Sequence, residues 1–475
     1  MTRYPLPDLG ALARELAAGA PGQALGGVVP GARALALAAL ARHGWPSRLA
    51  LVLTPNVAEA EDLAAGLDLL APGLRVGVVP AETASPYVGA EPPLDARLRL
   101  VELLSGIGRG VYDLVVAPAR ALATPVPAPE LVDEHTIRIA AGGRIEPGEI
   151  ARRLVSAGYR RVDLVEEAGE FAVRGWVIDL HLGGPSGFRL QLDDEVLESI
   201  RAFDTPTQRS CGEPLESLAI PPLDPLGGDR RLEVAAMLES ELPALAGLMV
   251  DGAERRLWWG ALHLAGGAVG WLDLAQEVIV CDRDAVLGEL GRWWQLAERE
   301  WRALSQRAME LPPPARLLRS PEELRPAVEA ARLRLERLEV HDTTTAWRRL
   351  ATAPAESFVR RLPDLVPTLR ARRAQDLAQV LVVASAGEGR RFAHLLRDGG
   401  VEPASAPALP GEVAITEGGV QRGFVWPGGL AVYGRRDLTA APAPRPRRGG
   451  PSAFVSDLRD LRAGDLVVHL DHGIG

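Results

Sequence analysis

Between residues 48 and 118, apolar runs alternate with segments of helical spacing, and that alternation restricts the fold more than any other feature of the chain. The run RLALVL (Arg48–Leu53) is bounded by Pro46 and by Thr54-Pro55. NVAEAEDLAAGLDLL follows at helical spacing, and LRVGVV (Leu74–Val79) is a second apolar run. A helix is expected at about Leu94–Leu104, and YDLVVAP (Tyr112–Pro118) is the third run. Strands that are apolar at nearly every position are buried on both faces, as in a parallel sheet covered by helices. Residues 1–130 are therefore expected to form an α/β domain that ends at the proline cluster ATPVPAPE.

The texture then changes. RIEPGEIARRLVSAGYRRV reads as a short helix stopping near Gly158, followed by FAVRGWVIDLHL, FRLQL and SIRAFD between Gly/Pro/Ser or acidic turns. This pattern predicts a small α+β domain over 131–217, its strands forming an antiparallel sheet on that helix. Residues 218–350 are expected to be helical and rich in tryptophan, with Trp258, Trp259, Trp293, Trp294 and Trp301 packing between helices. A second, small αβ domain is expected over 355–440, where QVLVVAS is a strand and GEGRRFAHLLRDGG a helix with a glycine stop. Residues 441–455 (TAAPAPRPRRGGPS lies mostly within them) form a Pro/Arg/Gly linker. Residues 456–475 begin a new β-rich element, and the sequence stops on a strand-and-turn pattern with nothing to pair it, the expected signature of a truncation.

The formal net charge is -9, which argues against a basic coat for nucleic acid. Cys211 and Cys281 are far apart, so neither a disulfide framework nor a cysteine zinc site is expected, in keeping with a reducing cytoplasm. No apolar run approaches the roughly 18 residues of a membrane span, and no membrane partner is expected. The chain contains no lysine, so all 53 Lys+Arg residues are arginine. Without lysine there is no ammonium for the β/γ-phosphates of a nucleotide and no Schiff-base chemistry. Arginine, a planar fork, does not substitute for that point charge.

One motif bears directly on this. Residues 26–33 read GGVVPGAR, opening an apolar helix, where the phosphate-binding loop reads GxxxxGK[ST]. Gly26 and Gly31 keep the glycine spacing, but Ala32 stands for the lysine and Arg33 for the Mg²⁺-holding hydroxyl. A glycine-rich turn before a helix reads the same way, and the α/β domain that follows is what favours a degenerate phosphate loop. Asp133-Glu134-His135 resembles a DExH box with the histidine one place early, and is taken as coincidence. His469 and His472 offer two imidazoles and no third ligand, so no metal site is expected. No nucleophile motif is evident and no catalytic residue is proposed from the sequence. The remaining signal is arginine density in YRRVDL, FAVRGW, FRLQL and SIRAFD. At alternate positions of a small sheet these arginines would share a face and offer forks to carboxylates or phosphates.

The run RRLVSAGYRRVDLVEEAGEFAVRGWVIDLH, followed by FRLQLDDEVLESIRAFD and TQRS, resembles the second domain shared by UvrB and the transcription-repair coupling factor (Mfd) family. ETASPYVGAEPPLDARLRLVELL resembles the coupling factor's preceding segment. The terminal GDLVVHLDHGIG is similar to the opening of the CarD-type RNA polymerase-interacting domain, through Gly464, Asp465, Val467, Val468, His469, His472, Gly473, Ile474 and Gly475. These matches sample most of the chain, with 230–350 contributing least. The resemblance implies a UvrB-like α/β domain with a degenerate phosphate loop, an inserted α+β domain that docks UvrA, a small αβ domain, and the start of an SH3/Tudor-like β element. Arg174 and Arg189 fall on the family's positions for UvrA contact. UvrB's damage-verifying hairpin would lie between Glu82 and Leu94, but that segment is too short and holds one aromatic, Tyr87. Leu192-Asp193-Asp194 stands where family members place an aromatic or apolar pair, which weakens the apolar part of the docking face. RNA polymerase (β subunit) and DNA are implied as partners of the full-length protein, and ATP with Mg²⁺ as its cofactors, with none in this chain. The competing readings are a UvrB-type repair helicase fragment and a CarD-like regulator on a scaffold.

Overall fold

The computed structural model describes residues 9–18, 22–46, 48–80, 85–87, 93–184, 186–223, 228–250, 262–306, 311–338, 346–404, 406–440, 468–469 and 473–474. The chain opens the central layer with strands β1 (Gln23–Gly26), β2 (Ala50–Thr54), β3 (Val76–Val78) and β4 (Leu114–Pro118). It then builds the small domain from β5 (Glu170–Arg174), β6 (Val177–Leu180), β7 (Gly187–Asp193), β8 (Val196–Asp204) and β9 (Arg209–Leu215). It returns to the central layer with β10 (Glu277–Cys281), β11 (Leu333–Leu335) and β12 (Ala346–Arg349). The result is mixed α/β.

The central sheet has seven strands in the order β12-β1-β11-β10-β2-β4-β3, and every pairing is parallel. All five residues of β2 and of β4 are buried, as continuous apolar runs require when helices cover both faces. Residues 218–350, expected as a helical unit, thus also deliver three strands to this sheet. EVIVC and LRL are short apolar runs, and periodicity alone does not separate a buried strand of that length from a piece of helix. The long helix Arg283–Ser305 lies in this stretch, with Trp293 buried and Trp294 and Trp301 packed against the same core, while Trp258 and Trp259 lie outside the described residues. Tyr87 is buried as well, and its hydroxyl donates to the Pro312 carbonyl at 2.8 Å.

The small domain is a six-stranded sheet in the order β9-β8-β7-β6-β5 followed by Arg160–Arg161. One face carries Phe171, Ile178, Leu180, Leu190, Leu192 and Ile200 onto Ile150, Ala151 and Leu154 of the helix Pro147–Ser156. The period-2 alternation that points these residues inward leaves Arg174, Asp179 and Arg189 on the opposite face. The strand Ser217–Ile220 pairs with Ile137–Ala140 and closes the base of this domain. The third domain is a five-stranded sheet in the order Ala353–Pro354, Phe424–Trp426, Leu430–Tyr433, Ala378–Val383, Val413–Glu417. The helix Ala386–Asp398 is capped by Ser385 and ends at Gly399.

Val468–His469 and Gly473–Ile474 form a short antiparallel pair. Gly464, Asp465, Val467, His472 and Gly475 lie outside the described residues, as does the linker 441–455. No helix among the described residues is long and apolar enough to cross a membrane.

Candidate functional site

The loop Gly26–Arg33 sits at the C-terminal ends of the parallel strands, the edge where open α/β sheets bind ligands. A phosphate loop works by leaving successive backbone N–H groups unpaired and aimed at the anion. Here three of those donors are occupied. Val28 N–H bonds to the Glu336 carbonyl at 3.0 Å, Val29 N–H to Thr352 Oγ1 at 3.0 Å, and Ala32 N–H to the Val29 carbonyl at 2.8 Å. Pro30 has no N–H, and with Gly31 and Ala32 it forms a tight helical turn. Thr352 also donates its hydroxyl to the Gly27 carbonyl at 2.7 Å, which fastens the third domain's leading segment to the loop.

Arg33, which the glycine spacing aligns with the metal-holding hydroxyl of a phosphate loop, is 1% exposed. Its Nη1 pairs with Glu59 and its Nη2 with Asp282. Each partner is positioned by local structure. Asn56 caps the helix Val57–Leu70 by accepting the Glu59 N–H at 3.0 Å, and its amide donates to Glu59 Oε1 at 3.0 Å. Asp282 follows β10 in left-handed backbone, φ 52°, and its other oxygen accepts the Arg337 N–H at 2.7 Å. An acid at the end of a neighbouring strand is where nucleotide-hydrolysing domains hold Mg²⁺. In this chain a guanidinium occupies the gap between that acid and the loop. Burial pushes the adjacent Cys281 thiol up to about 12, so it stays neutral beside the cluster.

The third domain packs over the loop Gly26–Arg33. Asp62 accepts the Gln421 N–H at 2.6 Å, and Asp437 accepts the N–H groups of Gly423 at 2.6 Å and Gly434 at 2.8 Å. A Cβ on residue 31 would meet the Arg422 carbonyl oxygen at 2.7 Å and that of Gly423 at 2.9 Å. Both neighbours are backbone atoms, so a side chain there must displace the covering segment. Gly31→Ala is expected to cost about 1–3 kcal/mol and to speed amide hydrogen exchange at Gln421 and Gly423. Unchanged exchange at those amides would refute this close seating.

The second cluster lies on the outer face of the small sheet. Arg189 on β7 is directly across from Asp179 on β6, and Asp179 is directly across from Ala172 on β5. That register brings Arg174 and Arg189 onto one carboxylate. Arg189 grips Asp179 through Nε at 2.7 Å and Nη2 at 2.9 Å, and Arg174 reaches it through Nη2. Arg189 also donates Nη1 to the Gln208 carbonyl at 3.1 Å and lies 5.0 Å from the centre of the Phe203 ring. Its pKa is raised, first by the hydrogen bond to Asp179. Phe203 closes a small apolar patch with Val165 and Ala172.

The expected sharing of a face by the two arginines is what the register produces. The sequence reading missed Asp179, Asp282 and Pro30. Asp179 was legible in principle, two positions on from the Gly175-Trp176 turn plus Val177, on the alternation shared with Arg174. Asp282, ending the apolar run EVIVC, carried the same kind of signal. Asp133-Glu134-His135, set aside as coincidence, ends the helix Pro129–His135. Among the described residues no group of three or more His, Cys, Asp or Glu could hold a metal ion.

Residues 137–224 match the family described as the UvrB interaction domain. Over 92% of its length the chain is 31% identical to the transcription-repair-coupling factor of Myxococcus xanthus, covering 41% of that protein. It is 26% identical over 95% of its length to the Haemophilus influenzae protein of the same name, and 25% over 98% to that of Bacillus subtilis. The chain spans about two-fifths of the length of these curated relatives. The resemblance read from separate motifs is therefore a property of nearly the whole chain.

Proposed function

We propose, from a likeness to transcription-repair-coupling factors that runs along nearly the whole chain, that this protein is a UvrA-docking module of that kind. The supporting observation is the arginine face. Within the residues that match the UvrB interaction domain, Arg174 and Arg189 stand together on a sheet face, held by one buried carboxylate. Two guanidiniums against one carboxylate leave a positive surplus on a surface that is partly open, which suits an acidic partner. In this reading the first domain is a UvrB-like layer with a degenerate phosphate loop, and Val468–Ile474 opens a CarD-type, SH3/Tudor-like element that meets RNA polymerase in the complete protein. Recruitment of UvrA to polymerase stalled on damaged DNA, in the cytoplasm, would be the task of that whole protein, with ATP and Mg²⁺ used by its motor.

No catalytic step is assigned to this chain. A helicase reading needs an open phosphate cradle and a free place for the metal, and Pro30, Thr352 and Arg33 fill both. Incubated with ATP and Mg²⁺, with or without DNA, the chain is expected to release phosphate no faster than a protein-free control. Release above that control, abolished by changing Gly31, would overturn this part of the reading. The docking itself is tested by surface plasmon resonance with immobilised chain and purified UvrA. Binding is expected whether or not nucleotide is supplied to the chain beforehand. An absence of binding would count against the proposal.

A further inference from the structure

We infer that Asp179 is the positioning residue of the docking face, and that Arg174 rather than Arg189 offers its donors to the partner; this rests on the UvrA-docking reading. The two arginines, equivalent on the sequence, are unequal in the structure. Arg189 is 21% exposed and held at all three nitrogens, Nε and Nη2 by Asp179 and Nη1 by the Gln208 carbonyl, with the Phe203 ring centre 5.0 Å from its guanidinium carbon. A guanidinium fixed at that many points has little left to give. Arg174 is 46% exposed and touches Asp179 through Nη2 alone. Its other N–H groups have no partner among the described residues.

Asp179 is 1% exposed, so its carboxylate depends on these guanidiniums for compensation. The parallel, two-point grip of Arg189 supplies most of it and fixes the carboxylate's orientation. The second oxygen is then presented to Arg174 at a set height above the sheet. Arg201, directly across from Arg189 on β8, adds a further like charge to the face. The chemistry that completes this arrangement is a carboxylate on the partner, received by the unoccupied edge of Arg174. Arg189 and Asp179 act through Arg174, as a base that holds it extended.

The test is a double-mutant cycle of the full chain against UvrA. Asp179→Asn keeps the side chain's shape and removes its charge. It is expected to lower affinity about tenfold, and to lower it less than about twofold in an Arg174→Ala background. A general loosening of the domain would weaken both backgrounds alike, and that result overturns the inference. Wild-type affinity for Asp179→Asn, alongside weak binding by Arg174→Ala, also overturns it while leaving the docking reading intact. If wild type does not bind UvrA, the docking reading falls and the inference with it. Should Asp179→Asn fail to fold, as judged by circular dichroism, the arginine Nε–H resonances of the wild-type chain carry the test. Arg189 should be slow to exchange and unshifted when UvrA is added, while Arg174 shifts. A shift at Arg189 with none at Arg174 would refute the assignment.

Discussion

Arg33→Ala should destabilise the first domain by about 3 kcal/mol, the low end of the cost of breaking a buried ion pair. The arginine is 1% exposed, and its loss would leave Glu59 and Asp282 facing each other across a cavity. Those carboxylates are 28% and 21% exposed, so water reaches them and moderates the penalty. Arg33→Met, which restores volume without charge, should recover only a minor part of the loss, because the repulsion between the carboxylates remains. Arg33→Ala combined with Glu59→Gln should recover more, since one of the unpaired charges is then gone. Urea unfolding followed by hydrogen exchange in the central sheet measures all three, and keeps the first domain's transition separate from those of the other domains. A loss below about 1 kcal/mol for Arg33→Ala would mean that the cluster is solvated and dispensable. The same substitution should not create ATP hydrolysis, because Pro30 and the occupied N–H groups of Val28, Val29 and Ala32 are untouched by it.

Arg174→Ala should weaken UvrA binding by about 2–3 kcal/mol, chiefly as faster dissociation. The magnitude follows from a partly exposed guanidinium that becomes buried against a carboxylate at the interface. Arg174→Lys should also bind less well, since an ammonium keeps the charge but loses the planar fork. Arg189→Ala should weaken binding too, but through the small domain: Asp179 would lose its two-point partner, and thermal stability should fall together with affinity. Arg174→Ala should leave stability nearly unchanged. Equal affinity for wild type and both alanine variants would place the docking surface elsewhere. The Asp193-Asp194 pair would then be the first region to examine, because the resemblance drawn from the sequence implies an aromatic or apolar pair at that point.

The layer architecture was legible because burial on both faces writes itself into sequence as uninterrupted apolar runs. RLALVL and YDLVVAP needed no long-range information to be read as strands β2 and β4. The small sheet was legible for a related reason, since FAVRGWVIDLHL alternates with period 2 around a Gly-Trp turn. The missing lysine and the altered residues at positions 32 and 33 likewise bore on nucleotide chemistry with no coordinates at all.

What the sequence could not carry was any pairing between residues far apart in the chain. β10, β11 and β12 join a sheet begun some 250 or more residues earlier, and strands of three to five residues hold no record of that partner. Arg33 in GGVVPGAR was readable only as a missing hydroxyl. Its roles as the counter-ion of Glu59, 26 residues on, and of Asp282, 249 residues on, exist only after the parallel strands bring their C-terminal ends to one edge. The same holds for Gln421–Gly423 over Gly31, where a backbone carbonyl makes the close approach and no side-chain identity encodes it. Alternation could put Arg174 and Arg189 on one face. Only the strand register could place Asp179 between them, because a shift of one residue would have turned that carboxylate toward the core.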